Sequence, residues 1–458
     1  MSGSTALVAS ERFARHVVAT RFAQLTSDAI AQAKVFILDT IGVGIAGSSA
    51  AGADELAAAS AGWGEGSEAV VWGRRMRAPA SMAAFLNGFQ VHCQEYDCVH
   101  ERAVLHPMAT LLPAALAYAD RRGGVSGREL IAAVAVGIDV AAGLGVASRS
   151  ALTFFRPATS GGFGATAAVA RLAGFDAEAT CNAFGVQYGQ TSGTMQAHVE
   201  GSIVLPMQIA FNARAALQSC DLAAVGLVGP RDVFEGPFGY LKLFEGRWDL
   251  EPTLEGLGRD WLVSELSHKP FPAGRATHGG IEGLIALRRE HGFTAADVES
   301  VCVIGPSLIK RLCGRPDVPA PNANYARLCM QFIAAKALLH GTVDLAHYRG
   351  AELTDAATHD VAARVTMEAD DNPDPNALVP QEIVVTLRSG EVLRRRCEVM
   401  LAHPSRRLSR DQHLTKFRRC LEFAQVPLHP ESGDRLIDMV DRLEDVEDVR
   451  ALTALLMQ

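Results

Sequence analysis

Aromatic side chains are scarce, 6 % of 458 residues, and no two of the nine cysteines are spaced Cys-x-x-Cys. Few aromatics beside abundant alanine disfavour a β-sandwich and favour close-packed helices. An odd, scattered set of cysteines in so long a chain argues against a disulfide framework, so reduced thiols are expected. A basic stripe is also lacking. The 43 Lys and Arg are dispersed among 51 Asp and Glu, for a net charge of -8, which disfavours a nucleic-acid partner. The opening MSGSTALVASERF has neither a basic start nor a long apolar run, and the most apolar later stretch, 130 to 148, carries Asp139 and three glycines. A soluble cytoplasmic protein without membrane contact is expected. Walker and Gly-x-Ser-x-Gly motifs are missing, which removes the usual support for a phosphate cradle or a serine hydrolase.

What is present is a globular composition, 48 % hydrophobic and 21 % charged, with core enough for about three average domains. From residue 27 to about 260 the pattern is helical. It starts at Ser27-Asp28, after which Ile30, Val35, Leu38 and Ile41 recur near period 3.6. Further helical runs fall at 79–92, 108–120, 128–147, 163–173, 177–188 and 205–223, and none alternates like a strand. Near residue 265 the segment KPFPAG breaks the chain and marks a domain boundary, before a helix whose Ile281, Leu284, Ile285 and Leu287 share one face. Short β-rich runs follow at 298–305, 362–370, 382–390 and 391–400, the last two joined by a hairpin turn at Arg388–Glu391. Helical pattern returns at 411–423 and 432–457, so the C-terminus is expected to pack back on the first helices.

Gly42-Val43-Gly44-Ile45-Ala46-Gly47 satisfies the dinucleotide pattern, but a helix rather than a strand precedes it, so close helix packing is the preferred reading. The densest polar cluster runs from His92 through Glu95, Asp97, His100 and Glu101 to His106-Pro107. Imidazole and carboxylate suit zinc or iron, and a metal-dependent hydrolase using His92, Glu95 and His100 is one reading. Against it, no His-Glu-x-x-His spacing puts two imidazoles on one helical face. His106 stands out because Pro107 suits a first helical turn, where the helix dipole keeps a histidine neutral and able to accept a proton. His278, before Gly279-Gly280 and the helix expected from Ile281, repeats the arrangement. Lys269, Arg275 and Arg156 are candidate cations for a carboxylated substrate.

The run FLNGFQVHCQEYDCVHERAVLHPMATLLPAALAYAD, with LDTIGVGIAGS before it and GGFGATAAVARLAGFDAEATCNAFGVQ, GSIVLPMQIAFNARAALQSCDLAAVGLVGP and KPFPAGRATHGGIEGL after it, resembles the MmgE/PrpD family. That family includes 2-methylcitrate dehydratase, cis-aconitate decarboxylase and iminodisuccinate epimerase. The resemblance implies a mainly α chain: a large all-helical domain from 1–265 and 405–458, a smaller α+β domain at 266–404, and an active site between them. It also implies a homodimer and a lyase that needs neither metal nor organic cofactor, with a small carboxylate as its partner. The family's acidic motif falls on Glu95 and Asp97, its His-Pro on His106-Pro107, its second histidine on His278 and a basic position on Lys269. His106 and His278 are then the expected acid–base pair, Asp97 orients one imidazole, and Glu95, Arg156, Lys269 and Arg275 serve the substrate. A dehydratase-like reaction is the first expectation, with decarboxylation or epimerisation as alternatives and a non-catalytic acid binder as a further one. The chain departs from the family at Leu205-Pro206-Met207-Gln208, where a lysine followed by Pro-Met-His is usual. Arg156, Cys98, Val99 and Phe332 also differ, replacing histidine, aspartate, threonine and tyrosine. These exchanges imply a less polar pocket and a less highly charged substrate.

Overall fold

The computed structural model describes residues 7–457. Helices cover Ser27–Gly47, Ala80–His92, Pro107–Arg122, Gly127–Ala147, Arg156–Ala173, Ala177–Gln190 and Val204–Ala224, close to the expected runs. Thr26 caps the first of these by accepting from Ala29 N at 3.1 Å. Gly127–Ala147 opens on a capping box in which Ser126 and Glu129 bond each other's backbone N–H. Asp139 sits in this apolar helix at no unpaired cost, because it accepts from His16 Nε2 and Leu262 N, both at 2.9 Å. By length and composition this helix and Ser27–Gly47 are long and apolar enough to cross a membrane, yet 94 % and 78 % of their apolar windows are buried inside the protein.

The Gly-x-Gly-x-x-Gly run packs helices. A Cβ on Gly47 would lie 1.8 Å from the Gln90 carbonyl oxygen, and one on Gly44 2.6 Å from the Trp72 ring. Only hydrogen fits where Ser27–Gly47 crosses Ala80–His92.

The later sheet has the strand order Val365–Ala369, Val298–Gly305, Gln381–Leu387, Val392–Cys397. Its first pair is parallel and the other two are antiparallel. The last two strands turn as expected, with Leu387 N bonded to Glu391 O at 2.8 Å and Gly390 at φ +89°. Helices His278–His291 and Met330–His340 pack on this sheet. The C-terminal segment returns to the N-terminal helices: Phe417 faces Gly42, and Val449 N bonds Val125 O.

Several expectations need correction. The helix expected at 163 begins at Arg156, since Pro157 at its second position is favourable there and the glycines are needed for close approach. The second helix of the pair begins at His278 itself, not Ile281. The run 432–457 is broken into Ser432–Asp441, Leu443–Asp445, Arg450–Ala454 and the short turn Leu455–Met457. The helical half also holds short strands, one of which, Val99–His100, pairs antiparallel with Leu266–Ser267. That pairing brings the acidic motif beside the KPFPAG segment.

Candidate active site

Three helix starts meet around one crevice with an empty volume of about 560 Å³. His106 is the N-cap of Pro107–Arg122, Phe155 is the N-cap of Arg156–Ala173, and Gly274–Ala276 lead into His278–His291. The starts of Pro107–Arg122 and Arg156–Ala173 lie at the wall and put the positive ends of their dipoles beside the space. Most of the remaining wall is apolar, including Val99, Val104, Leu152, Met195, Leu328 and Leu378. Glu95 and Val104, both on the wall, hold left-handed backbone at φ +49° and +48°. Strain of that kind persists where surrounding structure fixes a functional geometry.

The acidic motif is buried and internally paired. Asp97, fully buried, lies 3.1 Å from His92 Nδ1 and 3.3 Å from His106 Nδ1 through the same oxygen. His106 Nδ1 also lies 3.0 Å from the Cys98 carbonyl oxygen. Both neighbours are acceptors, so Nδ1 carries the proton and Nε2, with no protein partner among the described residues, presents its lone pair to the crevice. Lys269 Nζ donates to Glu95 Oε2 at 2.7 Å and stands 3.9 Å from Asp97 Oδ1.

Charge tuning follows from these contacts. Burial lowers the His106 pKa and Lys269 lowers it further, outweighing Asp97, so the ring is neutral at rest. Burial alone would do the same to His92, but Asp97 and Glu95 reverse it and raise its pKa. Burial would raise Glu95, yet Lys269 and the two imidazoles bring it down to about 2. Asp97 is likewise held well below the usual carboxylate range, against burial, by His92, His106 and Lys269. Its charge is therefore available to stabilise an imidazolium formed at His106.

The expected site residues are only partly brought together. His106, Glu95 and Arg275 line the crevice, with Asp97 and Lys269 directly behind. Arg275 is already engaged: it donates twice to Glu101, at 2.7 and 3.0 Å, and to the His268 and Leu401 carbonyls. His278 is not on the wall. Its Nε2 donates to the Ala273 carbonyl at 3.1 Å and its Nδ1 faces Arg275 at 3.5 Å, so both nitrogens order the 273–275 turn and the expected pairing with His106 across the crevice is not present. Arg156 is a second correction. Fully buried, it forks onto Glu245 at 2.9 and 3.0 Å and donates to Ala103 O and Ser148 Oγ, leaving nothing for a substrate.

Nor do His92, Glu95 and His100 form one set. His100 faces Glu265 at 3.5 Å on the paired strands. Ligand atoms of His92, Asp97 and His106 do lie within 4.8 Å of one another, a spacing a divalent ion would accept. Lys269 already supplies the positive charge to these carboxylates, and a metal ion would face that ammonium across Asp97. The residue that sequence reasoning missed is His198, in the short helix Gln196–Glu200, which lines the crevice apart from the acidic motif. Nothing in QAHVEG marks it, because its partner Arg315 is 117 residues away.

Two family models match this chain. The MmgE/PrpD N-terminal domain matches residues 11–253 and the MmgE/PrpD C-terminal domain residues 271–445. The chain belongs to the MmgE/PrpD family. It is 27 % identical to a cis-aconitate decarboxylase of Mus musculus, over 98 % of this chain and 93 % of the relative. It is 26 % identical to the Homo sapiens cis-aconitate decarboxylase, over 98 % and 94 %. A cis-aconitate decarboxylase-like protein of Aspergillus oryzae is 28 % identical over 94 % of both chains. At this level the chain is an enzyme of the lyase kind.

Proposed function

We propose that this MmgE/PrpD member is a lyase of a small carboxylic acid that moves a proton at carbon through His106 Nε2 and releases carbon dioxide. The observation that carries the reading is that His106 turns an unpartnered, proton-accepting Nε2 to the crevice while Asp97 backs its Nδ1. Glu95 is ionised down to about 2, His198 binds a proton only near 3, and Cys313 holds its own up to about 12. Dehydration needs a base for the α-proton and a separate acid for the departing hydroxyl. Decarboxylation needs only one donor for the carbon skeleton, so the geometry favours it over the dehydratase expectation.

A carboxylate arriving beside His106 raises the ring's proton affinity, and Asp97 stabilises the resulting imidazolium from the other side. His106 takes its proton from solvent; as the carbon–carbon bond to the leaving carboxylate breaks, carbon dioxide departs, the bond's electron pair stays on the skeleton, and His106 delivers the proton to that carbon. The helix starts stabilise the charge that develops, in a space whose apolar walls exclude water. Lys269 and Arg275 are each matched by a carboxylate, and Leu205 and the buried Arg156 supply no replacement. We therefore assign an acid carrying fewer charges than a tricarboxylate. The reading needs no metal or organic cofactor, and the protein works in the cytoplasm as a homodimer.

The test is a panel of unsaturated and hydroxylated di- and tricarboxylates in deuterated water, followed by NMR and carbon dioxide trapping. Carbon dioxide release with one solvent deuterium in the product is expected, lost in His106→Asn. Water loss without carbon dioxide, turnover of no panel member, or an unimpaired His106→Asn variant overturns the reading.

A further inference from the structure

His198 is buried, 6 % exposed, yet its ring lines the crevice. Two contacts from outside its own helix fix it. Arg315 Nη2 donates to the His198 carbonyl at 2.8 Å and approaches its Nδ1 at 3.3 Å. Gln208 clamps the preceding turn, accepting from Thr194 N at 2.6 Å and donating to Thr194 O at 3.2 Å. Gln208 and the buried Leu205 belong to the stretch where the family resemblance leads one to expect lysine and histidine, so this chain holds the 194–198 turn without a cation there.

A guanidinium has only N–H groups to offer, so His198 Nδ1 can only accept from it. That places the ring proton on Nε2, the nitrogen with no protein partner among the described residues. We infer that His198 presents a neutral Nε2–H to the crevice as a hydrogen-bond donor for an oxygen of the substrate carboxylate, with Arg315 as the residue that fixes this tautomer. The inference deepens the lyase reading above and rests on it for the substrate class. Burial and then Arg315 lower the His198 pKa to about 3, with His92 and Arg311 acting in the same direction and Glu95 opposing. The ring is therefore a donor that stays uncharged rather than an acid that gives its proton away. It complements His106, whose Nδ1 is the protonated nitrogen and whose Nε2 accepts. One wall takes a proton and another holds an oxygen, without adding a charge that a substrate of low charge would leave unbalanced.

The test uses the full chain with 15N-labelled histidine, His198→Gln for assignment, and succinate as a non-reacting probe. We expect His198 to show the neutral Nε2–H signature well below the ordinary histidine range, with that resonance shifting as succinate binds. His198→Phe should weaken succinate about tenfold, within the range for a hydrogen bond to a charged group, and His198→Gln should recover part of the loss through its amide donor. Arg315→Met should mix the tautomers, weakening succinate, and raise the ring's pKa only part-way from about 3 toward the ordinary histidine value, because burial, the larger cause, remains. An Nδ1–H signature, an imidazolium at neutral pH, absence of succinate binding, or full affinity in His198→Phe overturns the inference. These readouts need no turnover, so the decarboxylase reading can fail while the donor stands. His106→Asn should cut turnover about a thousandfold and leave the His198 signature unchanged.

Discussion

His92, Asp97, His106 and Lys269 form one buried cluster of imidazole, carboxylate and ammonium; Asp39, His268, His413 and Lys416 form another. In the second, Lys416 Nζ donates to Asp39 at 2.7 Å and to Tyr96 O at 2.8 Å, and its ammonium lies 4.2 Å from the Tyr96 ring centroid. His268 Nε2 and His413 Nδ1 meet at 2.9 Å, and the His268 ring packs at a tilt against Phe36. Burial and then Lys416 hold the His268 pKa well below its usual value, and burial lowers His413 as well. The ingredients match, but none of these four side chains lines the crevice, whereas His106 offers it a free nitrogen. Chemistry is decided by which nitrogen is left open, and residue type alone does not reveal that. The second cluster ties the helix Arg410–Leu421 to the 266–275 segment behind the crevice wall.

The largest separation between the clusters should come from His106→Asn. Loss of a positioned proton carrier costs about 10³ in kcat/KM with little change in Tm, because the amide can still donate to Cys98 O. The matching change in the second cluster, Lys416→Met, should do the reverse. It leaves Asp39 buried without its ammonium, so stability should fall by about 3–5 kcal/mol in chemical denaturation while the folded fraction keeps its kcat. An equal loss of kcat in both variants would erase the distinction drawn here.

Arg156→Met should also act on stability alone. It strands Glu245 in the core, so Tm drops, while KM for any substrate identified stays at the wild-type value. A raised KM in well-folded protein would return Arg156 to the substrate.

A smaller effect distinguishes the clusters by pH. His268 and His413 have folded-state pKa values below those of the unfolded chain, so below about 6.5 the unfolded state binds more protons and stability declines as pH falls. Glu95 adds its own loss between its unfolded value of about 4.5 and its folded value of about 2. Denaturation series across this range should show a shallower upper limb in His268→Phe. The alkaline limb of kcat/KM, set by loss of the proton that His106 must donate, should lie below the ordinary histidine value rather than at it. A limb above that value would mean that the Asp97 carboxylate dominates the ring.

Much of the fold was legible because the signals are local. Period 3.6 with Gly and Pro at the ends located the helices, and the β-rich runs after 298 located the strands to within about three residues. Arg156–Ala173 was read short because its first turns are glycine-rich, and the glycines there serve contacts from distant helices. The short strand pair at 99–100 and 266–267 was invisible, since two residues carry no alternation. At the site, His106-Pro107 announced itself by a helix-start signature. His278 showed nearly the same signature and points elsewhere, because a start signal fixes a residue's place on its helix and not which way the helix faces. Arg156 and Arg275 were legible as cations, whereas their carboxylate partners, Glu245 and Glu101, were not.

The sequence by itself determined the family, the helical framework with its later sheet, and the acidic motif that carries His106, since each is written in contiguous residues or in short periodic patterns. Only the tertiary structure decided which cations are free, which imidazole nitrogen faces the crevice, and that His198 joins the site through Arg315. Those outcomes depend on burial and on contacts that no local pattern shows, several between residues more than a hundred positions apart, where a single ångström settles whether a charge is neutralised or a proton can move.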